Sequence, residues 1–253
     1  MYYIEPKPNP SKLLLCSDLL RATIELGISK VMMSSLLDIE HSGSKLIMLL
    51  PGFTGSEKSL EYLRDFLENI GHTVVMWGAG RNYGDKPETY RMCYNKLVRT
   101  YKKHNKKLVL IGHSLGGLYA RKLAHESPEY IEQIISLGSP IDMRGRVDNI
   151  ISAVYEIFNP DFRDDEDKKY MELAIQPKVP CTHIYTKQDG IVHWKMCRQD
   201  KNLSNTVFQD IEVYGSHIGL ICNPLVFRIL IELLGGKSGE FVTIDNSKVF
   251  NIF

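Results

Sequence analysis

The sequence predicts an α/β protein built on a parallel sheet. Three observations predict this class: short apolar runs alternate with segments of helical periodicity, the runs end in glycine-rich turns, and one turn carries the pattern Gly-x-Ser-x-Gly. Continuous apolar runs are typical of strands that are buried on both faces of a parallel sheet. The alternation indicates βαβ units, which place functional loops at the carboxyl ends of the strands.

Length, charge and cysteine content restrict the class of protein further. The chain has 253 residues, of which 43% are hydrophobic, and this suits a single domain over residues 1–253 with a sizeable core. The formal net charge is +1, so no global field would attract nucleic acid. The five cysteines are scattered and include no C-x-x-C pair. This argues against a zinc site or a disulfide framework and favours a reduced, cytoplasmic compartment.

Residues 12–39 are predicted to form an N-terminal helical segment, with Gly27 as a candidate break. Because basic residues on its polar face are few, we expect the apolar face to pack on the domain's own core; peripheral contact with a membrane is the alternative. Asp18, Arg21 and Glu25 interrupt the apolar stretch, so neither a secretory signal nor a membrane span is predicted. The predicted apolar face comprises Leu13, Leu14, Leu20, Ile24, Ile28, Val31, Met32 and Leu36.

The remaining chain alternates six predicted strands with helices. An insertion over residues 141–179 is expected to cover the carboxyl edge as a helical cap or lid, a longer crossover helix being the alternative. Residues 235–253 form a tail without an assigned role. The predicted strands lie at residues 45–50, 73–77, 108–111, 133–137, 181–186 and 207–213. The helices of these units lie at residues 57–69, 87–101 and 218–234, and one more begins at Leu115 and closes before Pro128.

The turn after strand 108–111 has the spacing of a nucleophile elbow. Gly112, Ser114 and Gly116 match a sharp strand-to-helix turn that holds a serine in a strained conformation. Glycine is needed two positions before and after the serine because a Cβ atom there would collide with the turn. A buried strand before the turn and a helix after it favour a catalytic serine over a merely structural glycine turn.

A serine nucleophile needs a histidine base, and the histidine needs a carboxylate that fixes its tautomer. In this architecture the chain order is serine, acid, histidine. Asp189 follows strand 181–186 and His217 follows strand 207–213, so we predict these two residues as the partners of Ser114. The alternatives are Asp200 and Asp210 for the acid, and His193 for the base.

The oxyanion hole of such a site is made of two backbone N–H groups. We predict Leu115, directly after the serine, and Phe53, in the glycine-rich loop after strand 45–50; Thr54 is the alternative to Phe53. His113 is interpreted as a packing support whose ring points away from the serine.

A second glycine-rich segment lies at residues 78–84. Gly78, Gly80 and Gly84 resemble a pyrophosphate-binding turn, but no glycine lies three residues after Gly80 and no acidic ribose partner follows. We therefore expect no nucleotide cofactor.

Five segments together resemble the α/β-hydrolase superfamily, and within it the compact bacterial lipase-like or esterase-like hydrolases. The resemblance implies a mostly parallel sheet of about six strands flanked by helices, a cap, the triad Ser114, Asp189 and His217, oxyanion donors at Phe53 and Leu115, and no cofactor or metal. The matching segments are LLPGFTGS at 49–56, GHSLGG at 112–117, LGSP at 137–140, QDGIV at 188–192 and GSHIGL at 215–220.

These residues predict a serine hydrolase that cleaves carboxylic esters, with an acyl or lipid-like small molecule as substrate, through an acyl-enzyme. Thioester hydrolysis and acyl transfer use the same three residues and stay open. A binding module on a hydrolase scaffold is a further alternative, since a fold does not fix a function.

Overall fold

Six parallel strands form one sheet in the computed structural model, which describes residues 8–40, 43–84, 86–144, 171–204, 206–246 and 249. The strand order is β2-β1-β3-β4-β5-β6 and every neighbouring pair is parallel. All six carboxyl ends therefore meet at one edge of the sheet, and the predicted α/β class is confirmed. The strands are β1 Leu46–Leu50, β2 Thr73–Met76, β3 Leu108–His113, β4 Ile131–Leu137, β5 Cys181–Tyr185 and β6 Phe208–Glu212.

Helices cover both faces of the sheet. On β1, Ile47 and Leu49 point into one apolar layer, while the alternate side chains point into the other, as the period of a strand requires. The layer around Ile47 contains α2 and α5, whose Phe66 and Phe227 rings stack with centroids 4.2 Å apart. The opposite layer contains α3 and α4. The helices with both ends in the described ranges are α1 Lys12–Leu37, α2 Glu61–Asn69, α3 Pro87–His104, α4 Leu115–Glu126 and α5 Pro224–Gly235.

Two predicted helices differ from the structure at their starts. The segment predicted as one helix over 57–69 begins as a 3-10 turn at Glu57–Leu60 before α2. The segment 218–234 is divided into a 3-10 turn at Ile218–Ile221 and α5. Asn223 ends the first part because its side chain accepts a hydrogen bond from the Leu225 N–H at 2.9 Å, and the following proline has no N–H to continue a helix.

The predicted cap is described only at its two ends, since residues 145–170 lie outside the described ranges. Residues 171–174 are helical and are fixed to α4 by the buried guanidinium of Arg121. Arg121 donates to the carbonyl oxygens of Leu173 at 2.8 Å and Ile175 at 2.9 Å. This end of the insertion is therefore attached to the core, and the prediction of a moving lid stays a prediction.

The N-terminal helix α1 runs unbroken through Gly27 and packs on the Ile218–Ile221 turn and α5. The expectation that its apolar face lies inward is wrong for most of the stripe. Asp18, Ala22 and Ser29 are buried, whereas Leu13, Leu20, Ile24, Ile28 and Val31 are exposed. The neighbouring loops offer backbone N–H groups to α1, and polar side chains satisfy them. In the described ranges we find no helix with the length and apolar character that a membrane span requires.

Candidate active site

Ser114 occupies a strained turn at the carboxyl end of β3. Its φ is 51° and its ψ is −121°, and α4 begins at the next residue. A Cβ atom on Gly112 would lie 2.4 Å from the Gly117 nitrogen, and one on Gly116 would lie 2.1 Å from the Leu50 carbonyl oxygen. Glycine is required at both positions for the steric reason that the motif predicts. The turn thus holds a serine in a conformation that side chains rarely adopt.

His217 and Asp189 form a buried, hydrogen-bonded pair. His217 Nδ1 donates to Asp189 Oδ2 at 2.6 Å, and both side chains are almost completely buried. The other carboxylate oxygen of Asp189 accepts from the N–H groups of Ile191 at 2.8 Å and Val192 at 2.6 Å. These donors fix the carboxylate, which in turn fixes the imidazole tautomer with its proton on Nδ1. Nε2 is therefore the ring nitrogen that can accept a proton.

The pKa of His217 reflects two opposing effects. Burial alone would lower it, because the low-dielectric interior disfavours the charged imidazolium. The charge and hydrogen bond of Asp189, together with the charge of Asp18, outweigh burial and raise the pKa of His217 above its ordinary value. The imidazolium that forms when a base takes a proton is thereby stabilised.

His113 connects the serine turn to the histidine loop. Its Nε2 donates to the His217 carbonyl oxygen at 3.0 Å, and the two ring centroids are 5.0 Å apart. Burial, followed by the nearby charge of His217, lowers the pKa of His113 to about 3, so its ring is neutral. Gly138, at the end of β4, leaves room for the pair: a Cβ there would lie 3.2 Å from His217 Nδ1. The structure thus brings the serine turn, Asp189 and His217 together at one sheet edge.

The loop at residues 51–55 closes against the serine turn. A Cβ atom on Gly52 would lie 3.1 Å from the Ser114 Cβ. Thr54 has a φ of 59° and its N–H donates to the Asn82 carbonyl oxygen at 2.7 Å. Because this N–H is engaged, Thr54 is the poorer candidate for an oxyanion donor. Phe53, the residue between Gly52 and Thr54, and Leu115, at the first position of α4, stay the predicted donors.

Asn82 holds this loop and was missed by sequence reasoning. The residue is fully buried, and its Nδ2 donates to the Pro51 carbonyl oxygen at 2.8 Å. Its Oδ1 accepts from the Gly84 N–H at 3.1 Å, and its own N–H donates to the Gly55 carbonyl oxygen at 2.8 Å. The glycine-rich segment 78–84 therefore supports the loop after β1. The sequence signal for this role was the position of segment 78–84 directly after a predicted strand, which puts the segment at the same sheet edge as the loop after β1.

We expect Asn82→Ala to lower kcat by about 10-fold to 100-fold, because a misplaced N–H group no longer meets the developing oxyanion. Steady-state hydrolysis of a short ester measures this. Asn69→Ala, at the exposed end of α2, removes a surface amide and is expected to behave as wild type. Equal activity of both variants would contradict a supporting role for Asn82.

The alternative acids and base are engaged elsewhere. Asp200 accepts from the Arg144 guanidinium at 2.9 Å. Asp210, within β6, accepts from the Gln199 N–H at 3.2 Å. His193 Nδ1 accepts from the Lys195 N–H at 3.3 Å and caps a 3-10 turn. None of these three side chains takes the place of Asp189 or His217 in the buried hydrogen bond between those two residues.

Asp18 of α1 accepts hydrogen bonds from the backbone of both site loops. Its Oδ2 accepts from the N–H groups of Gly190 at 3.1 Å and His217 at 3.0 Å, and its Oδ1 accepts from Ile218 at 3.0 Å. About two turns further on, Glu25 accepts from the Ser216 N–H at 2.7 Å. Sequence reasoning missed this role because the N–H partners of Asp18 lie between 172 and 200 residues away along the chain. The available signal was the i, i+7 spacing, which puts both carboxylates on one helix face.

We expect Asp18→Asn to lower kcat/KM by about 10-fold and to shift its acid limb to lower pH. The limb reports the protonation of His217, which must be neutral to act as base, and loss of the Asp18 charge lowers that pKa. The pH dependence of kcat/KM measures the shift. Asp38→Asn, at the C-terminal end of α1, is the matched control. An unshifted limb in Asp18→Asn would contradict the electrostatic role.

The comparison with known families gives the family of the chain. A model of the family described as "PGAP1-like alpha/beta domain" matches residues 57–192, which is more than half of the chain. The chain belongs to this family. The matched part of the PGAP1-like domain runs from the 3-10 turn before α2 to the loop after Asp189, and so includes Ser114 and Asp189. His217 and α1 lie outside the matched residues.

Solved structures with the same fold include several α/β hydrolases. Over 77% of the PGAP1-like chain, the Paleococcus ferrophilus monoacylglycerol lipase is 15% identical with a TM-score of 0.53, and 96% of that enzyme is covered. A bromoperoxidase from Bacillus anthracis is 14% identical over 77% of this chain and 92% of its own, with a TM-score of 0.54. A structure of metagenome-derived lipolytic enzymes is 14% identical over 72% of this chain and 88% of its own, with a TM-score of 0.51. At these identities the likeness shows the α/β-hydrolase fold.

Within the residues that the structure describes, no group of three or more His, Cys, Asp and Glu side chains is placed to hold a metal ion.

Proposed function

We propose that this protein is a serine hydrolase that cleaves carboxylic esters with an acyl or lipid-like chain. The observation that carries the proposal is the buried hydrogen bond of 2.6 Å between His217 and Asp189, at the sheet edge where Ser114 occupies its strained turn. A buried carboxylate that fixes Nδ1–H leaves Nε2 as a base for a serine hydroxyl. The membership of a family with a hydrolase fold supports the same chemistry.

The mechanism assigns one role to each group. Ser114 Oγ attacks the ester carbonyl carbon while His217 Nε2 takes the hydroxyl proton. The N–H groups of Phe53 and Leu115 stabilise the oxyanion, the second of these with the N-terminal end of the α4 dipole. The imidazolium, stabilised by Asp189, then gives its proton to the leaving alcohol. Water, activated by the same imidazole, releases the acid from the acyl-enzyme.

Labelling with a fluorophosphonate tests the proposal directly, since the reagent forms a covalent bond only with an activated serine. We expect native protein to be labelled at Ser114, as identified by peptide mass spectrometry, and heat-denatured protein to stay unlabelled. A panel of p-nitrophenyl esters of increasing acyl length, with one thioester, then defines the substrate class. Folded protein that neither reacts with the reagent nor hydrolyses any ester would refute the proposed function.

A further inference from the structure

Over most of its length, α1 has an apolar outward face and an inward face that carries Asp18, Glu25 and Ser29, and only its C-terminal part packs apolar side chains such as Leu36 into the core. Twelve large hydrophobic side chains are exposed in the described part of the chain, and six of them lie on α1. Their exposure reaches 78% at Leu13 and 82% at Val31. Leu13 and Val31 are eighteen positions apart, about five whole turns, so the stripe follows one line of the helix for about 27 Å. The stripe is formed by Leu13, Leu20, Ile24, Ile28 and Val31, and the sixth exposed residue, Leu19, lies about a third of a turn away from that line.

The inward face prevents the helix from rotating to bury this stripe. Asp18 and Glu25 are held by the N–H groups of the site loops, and the space for Glu25 depends on glycine. A Cβ on Gly219 would lie 2.2 Å from Glu25 Oε2, and one on Gly190 would lie 2.3 Å from the Leu14 carbonyl oxygen. A rotated helix would bury its apolar side chains against backbone N–H groups of the site loops that then have no acceptor, and a buried N–H without a partner is costly. The apolar stripe is therefore a fixed outer surface.

The charges on the exposed side of α1 are all positive. Lys12 and Lys30 are exposed, and they too are eighteen positions apart, so they lie along one flank of the stripe. Both carboxylates within the helix, Asp18 and Glu25, point inward, and the exposed carboxylates of Asp38 and Glu40 follow after the helix has ended. The exposed basic residues of α1 are only these two, Lys12 and Lys30, but no exposed carboxylate within the helix opposes them, so the stripe and its lysines suit a helix that lies in the interface of a bilayer with anionic lipids.

We propose that α1 docks the protein, by this stripe, onto a lipid surface that contains anionic lipids. The helix lies in the plane of the interface, with Lys12 and Lys30 at the level of the headgroups. Because its N-terminal half contacts the Asp189 and His217 loops, docking brings the carboxyl edge of the sheet close to the lipid. That this edge then receives an ester from the same surface rests on the proposed function; the docking itself does not.

Sedimentation with vesicles tests the docking. The full chain is mixed with vesicles of phosphatidylcholine alone or with about one quarter phosphatidylglycerol. We expect binding to the anionic vesicles, and a partition coefficient about 100-fold lower for the triple variant Leu20→Ser, Ile24→Ser, Val31→Ser. Lys12→Ala with Lys30→Ala should lose about 5-fold per lysine on anionic vesicles and little on phosphatidylcholine. The control, Met92→Ser with Val207→Ser, removes exposed apolar side chains elsewhere and should bind as wild type.

The outcomes separate docking from catalysis. Circular dichroism melting verifies that each variant is folded, and hydrolysis of a water-soluble ester should be equal in wild type and triple variant. Vesicle binding without hydrolysis would leave the docking intact and refute the proposed function. The docking is overturned if wild type does not sediment with anionic vesicles, or if the triple variant binds equally well. It is also overturned if sedimentation velocity shows a dimer that this variant dissociates, since a second copy then covers the stripe.

Discussion

Ser114→Ala is expected to lower kcat for ester hydrolysis by about 10⁶-fold and to abolish fluorophosphonate labelling. The variant removes the attacking oxygen while a methyl group is retained in the strained turn, so the fold should be kept. His217→Ala is expected to cost about as much, because serine and base act as a unit and either loss removes the covalent step. Single-turnover kinetics with a p-nitrophenyl ester and a thermal melt measure both effects.

The double variant distinguishes this mechanism from a simpler one. If Ser114 and His217 act as a unit, Ser114→Ala with His217→Ala should be no slower than either single variant. Additive losses would mean that the two residues contribute independently, as expected of binding rather than of nucleophilic catalysis. His104→Ala, an exposed histidine at the end of α3, controls for unspecific effects of removing an imidazole.

Asp189→Asn is expected to lower kcat by about 10⁴-fold with little loss of stability. The amide oxygen can still accept from the N–H groups of Ile191 and Val192, so the loop is kept. The amide nitrogen, however, is a donor that faces His217 Nδ1 and favours the tautomer with its proton on Nε2. A ring in that tautomer has no lone pair for the serine proton. The pH dependence of kcat and a thermal melt are the measurements.

Asp200→Asn is the matched control, because Asp200 is the alternative acid in the sequence and is paired with Arg144 in the structure. It should lose part of that ion pair and keep its activity. The assignment of the acid would be wrong if Asp200→Asn were the inactive variant and Asp189→Asn the active one.

Most of the sheet could be predicted from the sequence. The six strands were found within a few residues of their bounds. The clearest, β1 and β3, are buried almost throughout and carry continuous apolar runs that end at or near glycine, whereas the edge strands β2 and β6 are only partly buried. The break at Asn223 was missed although its signal, an asparagine before a proline, is local. The proposed site residues were also chosen from local context, since each follows a strand whose carboxyl end must lie at the common edge. Their catalytic roles stay predictions.

The sequence by itself determined the α/β class, the strained serine turn and the order of the candidate triad, because burial of strands and sterics of a glycine turn act over a few residues. Only the tertiary structure decided which face of α1 lies inward and which residues support the site. Asp18 finds its donors at Gly190 and His217, and Asn82 finds its acceptor at Pro51. The buried face of a helix is set by the groups that its neighbours offer, and beside Asp18 and Glu25 those are backbone N–H groups, whereas only the C-terminal part of α1, at Leu36, meets the apolar core.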